Sequence, residues 1–161
     1  MVLTPVGLRY RGRLYPCSIG KGGRSCTKRE GDGATPSGIH RVAMTLYRPD
    51  RMAPPAPWAL PIRTGDLWSD DASDPAYNTW VRAPYESSAE DLRRADPLYD
   101  LVLVTDWNWP HPIPGRGSCI FIHQWRRPGY PTEGCIGLRR DHLRVLAAVA
   151  APGTRLIVPR E

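Results

Sequence analysis

Two side chains in this sequence could form a nucleophile and its base. Cys135 stands in "PTEGCIGLRRDH" (131–142), directly after Gly134, and His123 closes "SCIFIH" (118–123), twelve residues earlier. The stretch between them, "QWRRPGYPTE", is polar and turn-forming. It is long enough to fold the chain back and bring thiol and imidazole within hydrogen-bond reach, as a Cys–His pair requires. A protonated histidine lowers the pKa of a nearby thiol, and the thiolate is the reactive form. Gly134 lets the backbone approach a substrate, and the amide N–H groups of Gly134 and Cys135 could hold an oxyanion. Spacing alone leaves three other readings of Cys135 open: a buried filler, half of a disulfide, or a metal ligand.

The other cysteines bear on those alternatives. Cys17, Cys26 and Cys119 form no CxxC pair with each other or with Cys135, which argues against a structural zinc site. Cys135 and His123 alone are a partial ligand set, open to adventitious zinc. His111 or Asp106 is a candidate third donor that nothing in the sequence fixes. No catalytic metal and no cofactor is expected. A Cys17–Cys26 disulfide is open in an oxidising compartment. Cys119, four residues before His123 on an expected strand, would lie roughly 13 Å from it and belong to the core.

These side chains need elements to carry them. "GLRYRGRLYPCSIG" alternates around Gly12 and predicts a β-hairpin. Residues 21–38 are a polar, glycine-crowded segment, followed by a strand in "GIHRVAMTLY". Residues 49–61 carry five prolines and predict a stiff extended surface segment, which could wall the cleft. "SSAEDLRRA" reads as a short helix capped by Ser87 or Ser88, with Glu90 or Asp91 three residues on. "YDLVLVT" and "SCIFIH" are apolar β-forming runs and predict buried strands. "RRDHLRVLAAVA" has helical spacing ended by Pro152-Gly153, and "TRLIV" closes as a strand. The loop "TDWNWPHPIPGRGS" offers Trp107, Trp109 and His111 as another wall of a cleft.

Composition sets the bounds. The 161 residues fit one domain, 1–161. Eighteen prolines and fifteen glycines favour a mixed, β-dominated fold over a helical bundle. The net charge of +6 favours anionic partners. The basic residues are scattered among Asp and Glu, so no nucleic-acid face is expected. No apolar run reaches membrane-spanning length, and the N-terminus lacks a signal-peptide stretch. A monomer is expected.

"IHQWRRPGYPTEGCIGL" resembles the signature of the L,D-transpeptidase catalytic domain family (YkuD-type). The resemblance is carried by His123, Thr132, Gly134, Cys135, Ile136 and Leu138. "KREGDGATPSGIHRV" resembles that family's upstream glycine-rich turn and strand. Together the two stretches span both halves of the chain. Three positions depart from the family pattern: Gln124 stands where glycine commonly follows the histidine, Gly137 where arginine is common, and Thr132 where serine is commoner.

The resemblance implies a single YkuD-like β-sandwich or barrel domain with short helices packed against it. It implies peptidoglycan stem peptides as substrate. Cys135 would attack a carbonyl on an L-configured centre, with His123 handling the proton. An amine of a neighbouring stem would resolve the acyl-enzyme, giving a cross-link, with an unusual stem position open. A cysteine hydrolase or amidase (carboxypeptidase) on the same polymer and a non-catalytic wall-binding module remain as alternatives. Thr132, Arg126, Arg139, Trp109 and Trp125 are candidate substrate contacts. Arg126, Arg127, Arg139 or Arg140 could replace the arginine absent at 137. A periplasmic or envelope location follows from the family alone.

Overall fold

The computed structural model describes residues 1–160. Strands β1 (Val2–Thr4), β2 (Gly7–Tyr10) and β3 (Arg13–Tyr15) pair antiparallel in sequence. Arg11 and Gly12 turn the predicted hairpin with φ of 47° and 73°, the left-handed pair that a two-residue loop of this twist needs. β4 (Cys17–Ser18), β5 (Arg24–Ser25) and β6 (Thr35–Pro36) bracket the glycine-rich segment. β7 (Gly38–Tyr47) is the long predicted strand. The proline-rich segment ends in β8 (Leu60–Pro61), which adds in parallel to the end of β7. β9 (Asp66–Ser69), β10 (Trp80–Arg82) and β11 (Ala89–Asp91) form a separate three-stranded sheet.

β12 (Leu101–Thr105), β13 (Phe121–Gln124) and β14 (Ile136–Leu138) follow, then helix α1 (Arg140–Ala147) and β15 (Arg155–Val158). The main sheet runs β3-β2-β1-β15-β7-β12-β13-β14-β4, a nearly closed, barrel-like surface of ten strands once β8 is included. Among the described residues, one α-helix and one 3₁₀ turn (Pro97–Tyr99) complete the fold.

The apolar run in β12 is continuous because both of its faces are covered. Leu101 and Leu103 join a core beneath α1 with Ile122, Ile136, Leu143 and Leu146. Val102 and Val104 point the other way, into a second core with Trp68, Leu92, Tyr99 and Phe121 under the small sheet. A strand alternates sides every residue, so two cores make every position apolar. The same alternation on β13 sends Ile122 to the first core, and Phe121 and His123 to the side of the second.

The expected helix over 87–95 is a strand. β11 pairs antiparallel with β9, Glu90 opposite Trp68. The acidic residue read as part of a capping box, Asp91, instead accepts the Arg93 N–H at 2.7 Å and turns the chain out of the strand. Packing against β9 overrides the weak local helix signal. The Cys17 and Cys26 thiols are free.

Candidate active site

The turn that carries Cys135 is built from backbone. β13 and β14 lie parallel, with His123 opposite Gly137. Cys135 therefore sits just before β14, where the Phe121 N–H donates to its Sγ at 3.4 Å. The Thr132 hydroxyl donates to the Cys135 carbonyl at 2.6 Å and accepts the Gly134 N–H at 3.2 Å. Its oxygen is thus spent on the turn. The Gly134 N–H, expected to help hold an oxyanion, is engaged there as well.

Gly134 has φ of 139°, in the region that favours glycine, and a Cβ there would sit 2.8 Å from the Ala34 carbonyl. The close approach it permits is to the upstream segment rather than to a substrate. Thr35 makes the link: its hydroxyl donates to the Gly134 carbonyl at 2.8 Å and accepts the Gly20 N–H at 2.9 Å. Gly20 is packed tighter still, its would-be Cβ 2.1 Å from the Gly33 carbonyl and 2.9 Å from the Gly134 Cα. Lys21 N–H to Thr132 O (2.8 Å) and Thr132 N–H to Ile19 O (2.9 Å) finish the cradle. Asp32 fixes the glycine-rich turn through the Arg29 and Ala34 N–H groups and the Lys28 ammonium.

Residues 118–120 close the other side of the thiol. Cys119 is not on the strand. It adopts φ of 54°, and its N–H donates to Asn78 Oδ1 at 3.1 Å. Its carbonyl accepts the Cys135 S–H at 3.0 Å. This left-handed residue turns the chain ahead of the strand, so Cys119 packs against the second core, as expected, and also lines the same cavity as His123. Asn78, buried and itself at φ of 54°, also accepts from Trp68 Nε1 and donates to the Trp107 and Asn108 carbonyls. Glu30 accepts from the Ser118 hydroxyl at 2.8 Å and from the Tyr77 hydroxyl, tying the upstream motif to this segment.

His123 is 5 % exposed. Its Nδ1 lies 2.8 Å from the Gln124 carbonyl, which can only accept, so Nδ1 carries the proton and Nε2 keeps the lone pair. The Tyr99 ring stands edge-to-face with the imidazole at 5.3 Å. Burial drives the His123 pKa down to about 4, and burial drives that of Cys135 up to about 12 despite the Phe121 N–H. Both shifts oppose an ion pair at rest. The resting pair is therefore thiol and neutral imidazole.

A cavity of about 420 Å³ opens over both groups. Its near wall includes Trp125, Arg126, Thr132 and Glu133, and its far wall Asp70, Glu90, Arg94 and Tyr99. Burial raises the Glu90 pKa, with Arg94 acting against that. One oxygen of Asp70, Oδ1, is buried without a hydrogen-bond partner. Among the described residues no group of three His, Cys, Asp or Glu could hold a metal ion. Asp106, considered as a third zinc donor, accepts the Arg41 N–H at 2.7 Å instead.

The family model of the YkuD L,D-transpeptidase catalytic domain matches residues 7–158. The chain belongs to this family. No curated protein and no solved structure matches it.

The YkuD features that differ here have local causes. Gln124 acts on His123 through its backbone carbonyl, which any residue supplies. Gly137 is tightly faced: a Cβ would stand 3.1 Å from that of Trp125, which would have to give by a few tenths of an ångström, and 3.5 Å from Thr132 Cγ2. Of the arginines weighed as its replacement, Arg126 lines the cavity. Arg139 forks onto Asp141 at 2.6 and 2.7 Å beside α1, outside the cavity lining. Arg140 lies 3.8 Å from Asp100, and Arg127 stacks over Tyr130. Trp109 packs against the second core, and Trp107 donates to Arg116 O, so neither lines the cavity. The proline-rich segment is not in the lining, but Arg51 at its start braces the far wall.

Sequence reasoning missed Tyr99, Glu90, Arg94 and Asn78. A buried tyrosine in "DPLYD" and a charged pair in "AEDLRRA" carry no catalytic spacing signal, since strands far apart in sequence bring them together.

Proposed function

We propose that this YkuD domain is a peptidoglycan L,D-transpeptidase with Cys135 as nucleophile and His123 as general base and acid. The observation that carries this reading is a thiol just before β14 and an Nδ1-protonated imidazole on the neighbouring parallel strand β13, both lining one cavity. A carbonyl on an L-centre of the stem peptide enters above Sγ. The thiol proton passes to His123 Nε2 as the S–C bond forms, because the resting pair is too far from ionised to make a free thiolate first. The Cys135 N–H faces the oxyanion, joined by the Gly134 N–H only if that leaves Thr132. The C–N bond breaks, and the departing amine takes the proton from Nε2. An acceptor amine then attacks the thioester and gives its proton to Nε2. The S–C bond breaks, and the thiol recovers its proton. Water in place of the amine gives hydrolysis. The family acts on peptidoglycan stem peptides. No helix among the described residues is long and apolar enough to cross a membrane. An envelope location belongs to the same proposal.

The test is incubation with purified stem peptides, followed by mass spectrometry of protein and products. The expected result is a thioester on Cys135 and a cross-linked dimer. A hydrolysed monomer as the sole product selects the carboxypeptidase reading. No adduct and no product rejects acyl transfer.

A further inference from the structure

The far wall of the cavity presents one cation in a fixed pose. Arg94 forks onto Asp96, Nε to Oδ1 at 3.0 Å and Nη2 to Oδ2 at 2.7 Å. Its guanidinium lies over the Tyr99 ring, 5.3 Å from the centroid, and that ring abuts His123. Nη1 forms an ion pair with Glu90 at 3.6 Å, beyond hydrogen-bond distance, so its N–H groups can still donate to an incoming carboxylate that shares the cation with Glu90 and Asp96. The loop beneath is braced from behind: Arg48 donates to the Arg94 carbonyl at 2.7 Å, and Arg51 to the Ala95 and Asp96 carbonyls at 2.9 and 3.1 Å. A guanidinium held this way binds a carboxylate with little ordering cost. Arg126, the other cation of the cavity, is exposed on the near wall.

We infer that Arg94 binds the carboxylate flanking the scissile bond of the donor peptide and so sets this enzyme's preference for acidic over amidated stems. This rests on the acyl-transfer reading for the identity of the ligand. Beyond burial, the charges of Arg94 and, less, Arg126 depress the basicity of His123. A carboxylate set against Arg94 offsets that charge and leaves Nε2 readier to take the thiol proton.

Two synthetic stem peptides, identical except for a free carboxylate or a carboxamide on the leaving D-residue, test it. Binding is measured by calorimetry to Cys135→Ala protein, where no chemistry intervenes. The acid is expected to bind about 30-fold tighter than the amide. Adding Arg94→Gln should bring the ratio below about 3-fold, while adding Arg126→Gln should leave it standing. Adding Arg94→Lys, which keeps the charge beside Glu90 and Asp96 and so protects the fold, should give an intermediate ratio. Equal affinities in the Cys135→Ala protein, an unchanged ratio in Arg94→Lys, or a collapse in Arg126→Gln would each overturn the assignment. Failure of the thioester to form on native protein, with the binding ratio intact, removes acyl transfer but leaves Arg94 as the carboxylate site.

Discussion

The two walls of the cavity are made of different materials. Around Cys135 the contacts are backbone amides, two threonine hydroxyls and glycines at van der Waals limits, as in Thr35 to Gly134 and Gly20 against Gly33. Around Arg94 they are ion pairs between side chains, Arg94 with Asp96 and Arg51 with the buried Asp100. The first wall cannot shift without breaking close packing. The second can be retuned by exchanging charges. Under the proposed function, chemistry that tolerates little displacement would belong on the first, and choice of substrate on the second.

That contrast can be broken from either side. The largest effect is expected from Cys135→Ala, which should lower turnover of stem peptides on the order of 10³-fold or more while the melting curve stays close to that of the parent. Retained turnover would show that the backbone-built wall does not carry the nucleophile.

Thr35→Val comes next. It leaves the Gly134 carbonyl and the Gly20 N–H without their partner in a buried place, at a cost of about 3 kcal/mol. Denaturant unfolding should show that loss, alkylation of Cys135 should change rate, and Thr35→Ser should behave as the parent. A neutral Thr35→Val would mean that the cradle does not depend on this link.

The third prediction concerns pH. The unfolded histidine takes up a proton below about 6.5, whereas burial holds folded His123 neutral down to about 4. The unfolded state binds more protons in that window, so stability falls as pH falls through it. At pH 5 the loss is about 2 kcal/mol relative to neutral pH. Glu90, raised by burial, works with the opposite sign. Urea midpoints of the parent and His123→Gln isolate the histidine: the variant should lose less stability between pH 7 and 5. Parallel curves would remove the buried neutral imidazole from the account.

The smallest effect belongs to the charged wall. Arg51→Gln removes a brace behind Arg94 that also pairs with the buried Asp100, and should lower stability. It should raise KM a few-fold with kcat nearly unchanged, as expected if this wall positions substrate rather than reacting groups. A fall in kcat with KM fixed would erase the distinction between the walls.

The sequence by itself determined the backbone-built half. Glycines and threonines at fixed spacing made "EGDGATPSG" and "TEGCIGL" recognisable, because tight turns and close approaches admit few residue types. The hairpin, the buried strands and the helix from Arg140 were legible for the same local reason, as periodicity and turn residues act within a few positions. The tertiary structure alone decided the rest. It turned 89–91 from an expected helix into a strand by offering β9 as a partner, and it brought Cys119 beside the thiol through one left-handed residue. It left Arg139 and Trp109 out of the cavity lining and set Arg94 and Glu90 in it. The partners of Arg94, namely Glu90, Asp96 and Tyr99, are close in sequence, but what sets this segment beside His123 are the Tyr99–His123 ring contact and the braces from Arg48 and Arg51, tens of residues away. Many residue types satisfy such contacts, so they leave no pattern to read along the chain.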